Sequence, residues 1–118
     1  MKKTILLVDD DRLIRRAIAR FLKLGGWNVI EAENEHDAAR IIEGIDSQIP
    51  DVVLTDLDLR SGGSGLHVVG AAQVNGIPVA LMSGDFVGGR PAGVLCFDKP
   101  LEISAVTRQL DELMMGAR

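Results

Sequence analysis

Four short stretches of this 118-residue chain end in side chains suited to handling a phosphoryl group: Val8-Asp9-Asp10, Leu54-Thr55-Asp56, Met82-Ser83-Gly84 and Asp98-Lys99-Pro100. Together they offer three carboxylates, a hydroxyl and an ammonium. Mg2+ suits such a set, because it keeps several waters and takes one or two carboxylates plus phosphate oxygens; Mn2+ accepts the same ligands. Lys99 supplies a compact ammonium that pairs with phosphate oxygens. Ser83 adds one hydroxyl donor, and Gly84 beside it lets a backbone N–H come close. Crowding the acids without a cation is costly: at an effective dielectric near 20, two unit charges about 4 Å apart repel by ~4 kcal/mol. A metal relieves that repulsion, and in its absence at least one carboxyl is expected to have a raised pKa. Asp56 is the best nucleophile, since it ends the central apolar run. Asp9 and Asp10 are expected to leave their strand toward roughly opposite sides, one binding metal directly while the other orients a bound water or the first carboxylate.

The elements that must position these residues alternate along the chain. Apolar runs at 4–8, 27–32, 52–55, 78–82 and 94–97 read as buried strands. Between them, Ile14, Ala17, Ile18, Phe21 and Leu22 recur at helical spacing, with Asp10 or Asp11 as cap and Gly25-Gly26 as stop. Asn34 caps a second helix with the stripe Ala38, Ile41, Ile42 and Ile45, ending near 44–50. Ser61 to Gly65 reads as a flexible loop, followed by a weaker helix over 66–73; the last helix carries Ile103, Val106, Leu110 and Leu113. The stretch 84–93, with Gly88-Gly89-Arg90-Pro91, is unhelical. Such alternation implies a parallel sheet with right-handed crossovers and helices on both faces. The strand C-terminal ends then converge on one edge, where open α/β sheets bind ligands. Lys99-Pro100 is a candidate cis peptide, which only X–Pro bonds adopt cheaply.

Composition narrows the class. A chain of 118 residues fits a single domain spanning 1–118 with no effector domain, and buries roughly 65% of its extended surface without staples. A net charge of −4 argues against nucleic acid as the main partner. Cys96 is the single cysteine, so no internal disulfide forms and a reducing, cytoplasmic setting is expected. No apolar run approaches a membrane span, and the N-terminal one is too short for a signal peptide.

Taken singly, each site residue has a plain structural reading: a helix cap for Asp9-Asp10, a turn acid for Asp56, a solvated Lys99. Their joint occurrence, each at its own strand end, favours the chemical one. Ser61 to Gly65 lacks the Gly-Lys-Ser/Thr end of a P-loop. His36 and His67 lack ligand-spaced cysteines, so no zinc site is expected. Cys96 reads as a small core residue. Arg12, Arg15, Arg16, Arg20 and Lys23 form a basic stripe expected to be a solvated helix face, with docking of an acidic partner as the alternative.

The chain resembles, from about Lys3 to Met115, the receiver domain of two-component response regulators (the CheY-like superfamily). The resemblance implies a flavodoxin-like (βα)5 fold, doubly wound, with a five-stranded parallel sheet of order 2-1-3-4-5. It implies Asp56 as phosphoryl acceptor, Asp10 as direct Mg2+ ligand with Asp9 as the accompanying acid, and the backbone carbonyl of Asp58 completing the protein ligands. Ser83 and Lys99 correspond to the family's hydroxyl residue and its lysine before a cis-proline. The implied partner is a histidine kinase or histidine phosphotransfer protein, with slow loss of the phosphoryl group to water; the chain is a phosphorylated substrate rather than an enzyme, and its output protein is not identified.

Several positions depart from that pattern. Only 16 positions separate Ser83 from Lys99 (99 − 83), so the fourth helix is expected to be short or missing. Cys96 stands where a switch aromatic usually sits, and Phe97 faces the other way by strand alternation. Arg60 stands where the family often has proline, and Asp58 and Asp85 add acids at the rim. The leading expectation is a stand-alone receiver that signals or relays phosphoryl groups. An aspartate-nucleophile phosphohydrolase is an alternative, since Asp56-Leu57-Asp58 superficially resembles the Asp-x-Asp of haloacid-dehalogenase-like enzymes. A further alternative is an unphosphorylated interaction module with a vestigial site.

Overall fold

The computed structural model describes residues 2–45 and 48–116. The ends of the expected 1–118 domain, and part of the 44–50 stretch, lie outside the described residues. The strands are β1 (Thr4–Val8), β2 (Asn28–Ala32), β3 (Val52–Asp56), β4 (Val79–Ser83) and β5 (Leu95–Asp98). The helices are α1 (Arg12–Leu24), α2 (Glu35–Ile42), α3 (Gly65–Val74) and α4 (Ile103–Gly116), with a short 3-10 turn at Arg60–Gly62. All strand pairs are parallel, in the order β2-β1-β3-β4-β5. This is the flavodoxin-like order expected.

Strand alternation divides the core between the two faces of the sheet. Ile5, Leu7, Val52, Leu54, Ala80, Met82 and Phe97 pack with Ile18 and Leu22 of α1 and Val106 and Leu110 of α4. Leu6, Val8, Val53 and Leu81 face Ala38 and Ile42 of α2 and Val68, Val69 and Ala72 of α3. A strand buried on both faces has no polar side to show, which is why β1, β3 and β4 read as continuous apolar runs.

The helix caps are largely those the sequence suggests. Asp11 accepts the Ile14 N–H at 3.1 Å and Asn34 the Asp37 N–H at 2.7 Å. Glu102 serves the start of α4, accepting the Ala105 N–H at 2.8 Å and the Ser104 hydroxyl at 2.7 Å, and these bonds hold its carboxyl below the usual range.

The expected face of α1 is rotated. Arg15, Ile18, Ala19 and Leu22 are the buried positions, while Ile14 and Phe21 are exposed. Arg15 therefore belongs to no solvated stripe. Its Nη1 donates to the Asp9 carbonyl at 2.8 Å and its Nε to Glu31 at 3.0 Å. Paired with Glu31 and bonded to the Asp9 carbonyl, the guanidinium is buried at reduced cost, and small Ala19 lets α1 lie close to the sheet. The segment 61–65, read as a plain loop, carries regular structure in part: a 3-10 turn spans Arg60–Gly62, Asp58 and Ser64 form a bridge, and Gly65 already lies in α3.

Among the described residues no helix connects β4 to β5. A turn closed by Gly89 N–H donating to Phe86 O (2.9 Å) takes its place. Arg90 ties that segment down: its guanidinium lies 5.1 Å from the Phe86 ring centroid, donates to the Cys96 carbonyl at 3.1 Å and pairs with Asp98. Cys96 is half-buried on the α2–α3 face and Phe97 is buried on the other, as alternation requires.

Candidate functional site

Sheet register alone brings the chemical residues to one edge. Val8 is level with Thr55, so Asp9 follows beside Asp56; Asp56 is level with Met82, so Ser83 follows; Ser83 is level with Asp98, so Lys99 follows. A hydrogen bond from Lys99 N–H to the Ser83 carbonyl (2.9 Å) extends this pairing past the end of β5. The Lys99–Pro100 peptide is cis.

From there the Lys99 side chain reaches back across two strands. Its Nζ donates to Asp9 Oδ2 at 2.7 Å and to Asp56 Oδ2 at 3.2 Å. Asp9 is fully buried, with its second oxygen accepting the Asp11 N–H at 2.9 Å. One oxygen each from Asp9, Asp10 and Asp56 lies within 4.8 Å of the others. Asp9 and Asp10 thus converge rather than splay to opposite sides, because β1 ends at Val8 and the chain is already turning into the Asp11 cap. They differ in surroundings instead: Asp9 is buried against Lys99, whereas Asp10 lies at the mouth, 3.7 Å from Arg60 Nε.

Burial raises the Asp56 carboxyl above the usual carboxylate range; the Asp9 charge adds to the shift, while Lys99 and the Asp58 backbone oppose it. A raised carboxyl was expected, but from crowded charge; desolvation is the larger cause. For Lys99, burial alone would lower the pKa. The Asp9 hydrogen bond and the charges of Asp9 and Asp56 outweigh burial, and its ammonium is held above its ordinary value.

Ser83 is buried at the end of β4, but its hydroxyl is turned onto its own loop, donating to the Asp85 carbonyl at 2.9 Å and accepting the Asp85 N–H at 3.1 Å. Asp58 follows Asp56 by two positions, and its side chain accepts the Arg60 N–H at 2.8 Å.

Two supporting residues escape a sequence reading. Arg15 fixes the Asp9 carbonyl from below; its signal is the spacing Arg15, Ile18, Ala19, Leu22, which is as helical as the apolar stripe but begins with a charge. Gly65 is the other. A Cβ there would stand 2.0 Å from the Asp56 carbonyl oxygen, so only glycine lets α3 start against the strand end that carries Asp56.

The donor set fits a hard divalent cation: three carboxylates whose oxygens lie close enough to share one ion. Zinc or copper, which favour imidazole and thiolate, finds no such ligands in this cluster.

Comparison with known proteins agrees with this geometry. Residues 5–86 match the family model of the response regulator receiver domain, and the match stops where the helix-less segment begins. A cyclic di-GMP phosphodiesterase of Thermotoga maritima is 44% identical over 66 residues, covering 56% of this chain and 16% of that protein. The probable transcriptional regulatory protein TcrX of Mycobacterium tuberculosis is 32% identical over 119 residues, covering 94% of this chain and 49% of its own length. The chain thus spans at most about half the length of these curated relatives. Among solved structures, a response regulator receiver protein from Sinorhizobium medicae superposes with a TM-score of 0.84 at 20% identity, covering 99% of this chain and 98% of that one. The receiver domain of the hybrid histidine kinase CckA gives 0.76 at 26% identity, over 94% and 98%. With the family model matched across most of its length and the fold shared end to end, this chain belongs to the response regulator receiver domain family.

Proposed function

We propose that the chain accepts a phosphoryl group on the Asp56 carboxylate from a phosphohistidine of a partner kinase or phosphotransfer protein, with Mg2+ required. The observation that carries this reading is the convergence of the Asp9, Asp10 and Asp56 oxygens within 4.8 Å, with Lys99 on Asp56 at 3.2 Å.

Asp10 and Asp56, with Asp9 behind them and the Asp58 carbonyl at the adjoining turn, would hold the ion. When bound, Mg2+ neutralises carboxylate and phosphoryl oxygens in a transfer that is largely positioning and electrostatics. One Asp56 oxygen bonds to phosphorus in line as the P–N bond breaks, and the imidazole nitrogen keeps the electron pair. Lys99 then holds a phosphoryl oxygen without leaving its place. Ser83 must give up the Asp85 carbonyl to donate to the same group, which pulls on the segment that Arg90 fastens to Phe86, Cys96 and Asp98. That segment is where phosphorylation would be read by an output partner. For the donor, α1 offers a landing face beside the crevice: Leu13, Phe21 and Leu24 are exposed among arginines, a pattern suited to a helical partner.

The test is incubation with phosphoramidate, with and without Mg2+, followed by acyl-phosphate assay. One phosphoryl group per chain, lost with EDTA and in Asp56→Asn, supports the proposal. Continued turnover of a phosphate monoester would instead favour the hydrolase alternative, and no labelling at all the vestigial one.

A further inference from the structure

Among the described residues, Arg60 is the one non-glycine with a left-handed backbone, at φ 52°. That conformation crowds a Cβ and persists only where the surroundings over-determine it. Here they do. Asp58 Oδ1 accepts the Arg60 N–H at 2.8 Å, the Gly62 N–H donates to Leu59 O at 2.8 Å, and Leu59 is fully buried beneath the turn. The result is an arginine aimed back at the crevice, its Nε 3.7 Å from Asp10 Oδ2. Lys99 meanwhile serves Asp9 and Asp56. The acidic trio therefore carries two cations of its own: a half-buried ammonium deep in the site, and a guanidinium at the mouth whose side chain is 78% exposed.

We propose that Arg60 is a built-in counter-ion that competes with the divalent cation for Asp10 and so sets the metal affinity of this crevice. The proposal rests on Asp10 being a metal ligand. A guanidinium keeps its charge at every accessible pH, so an ion seated on Asp10 must displace it or sit beside it. Because the pair is exposed, water and salt soften the competition, and a dependence on ionic strength comes with it.

The test is Mn2+ binding, read from the spin-resonance signal of the free aqua ion, for wild type, Arg60→Asn, Arg60→Gly and Arg60→Lys. Asparagine tolerates the left-handed turn and glycine relaxes it, so the two neutral variants separate charge from backbone. Both are expected to bind Mn2+ about three- to tenfold more tightly at low salt, the gain shrinking as salt rises, with Arg60→Lys within about twofold of wild type. Equal or weaker binding by the neutral variants, or a gain confined to one of them, overturns the role of Arg60 alone. No saturable Mn2+ binding by any of the proteins overturns it together with the reading of Asp10 as a ligand.

Discussion

Replacing Lys99 with methionine tests the electrostatic logic of the crevice without any phosphoryl donor. The ammonium pairs with the side-chain carboxylate of Asp9, which has no exposure at all, while Lys99 itself is 16% exposed and Asp56 14%. Removing one partner of a fully buried pair costs about 3–5 kcal/mol, because the survivor is left as an unpaired buried charge. Two features reduce that here. Asp9 keeps the Asp11 N–H on its other oxygen, and the site opens to water past Asp56. A loss of about 2–3 kcal/mol is therefore expected in metal-free buffer. For 118 residues, an unfolding entropy of about 2.1 cal/mol/K per residue converts this to a fall in Tm of roughly 8–12 °C. Urea and thermal unfolding followed by circular dichroism would measure it. Adding Asp9→Asn to Lys99→Met should restore most of the loss, since the orphaned charge is then gone. A Lys99→Met protein destabilised by less than about 1 kcal/mol, the range of an exposed pair, would refute the reasoning. So would a double variant no more stable than the single one.

Further outcomes follow from the same geometry. Because the folded-state pKa of Asp56 lies above its ordinary 3.8, the folded chain binds the proton more tightly than the unfolded one. Metal-free stability should then rise as pH falls through the window just above 3.8, and Asp56→Asn should flatten that window and stabilise the protein at neutral pH, as read from Tm against pH. Gly65→Ala places a Cβ against the Asp56 carbonyl, and overpacking of this kind costs about 1–3 kcal/mol; unfolding should show that loss and phosphoramidate labelling should slow as Asp56 is displaced. Asp58→Asn with Asp85→Asn keeps an acceptor for the Arg60 N–H but removes two rim charges, so Mn2+ binding should weaken about two- to fivefold and the acyl-phosphate lifetime should change. Unchanged values would remove the rim acids from the account.

Most of the sheet was legible because parallel strands buried on both faces need unbroken apolar runs, and four of the five runs lead into a residue of distinct chemistry. Once the alternation implied a parallel sheet, Asp9, Asp56, Ser83 and Lys99 had to share an edge. What escaped the sequence has identifiable physical causes. The α1 face was misplaced because its apolar stripe and its buried stripe both obey helical spacing; a hydrogen-bonded Arg15 decides between them, and its partners, the Asp9 carbonyl and Glu31, come from other elements. The Ser61 to Gly65 segment reads as a plain loop because glycine marks both mobile chain and close approach, and the close approaches, Gly65 to the Asp56 carbonyl and Gly63 to Glu35, involve residues of other elements. The missing helix was legible from spacing and glycine content, but the Arg90 contacts that replace it depend on the folded positions of Phe86, Cys96 and Asp98. Arg60 gave only the hint of a charge where proline is usual.

The most direct measurement is the mass of the intact protein after phosphoramidate treatment in Mg2+, followed by borohydride reduction and peptide mapping. The expected result is the added mass of a single phosphoryl group, abolished by EDTA, with the reduced residue at position 56. Modification mapped to any other side chain, or labelling that persists in Asp56→Asn, would contradict it.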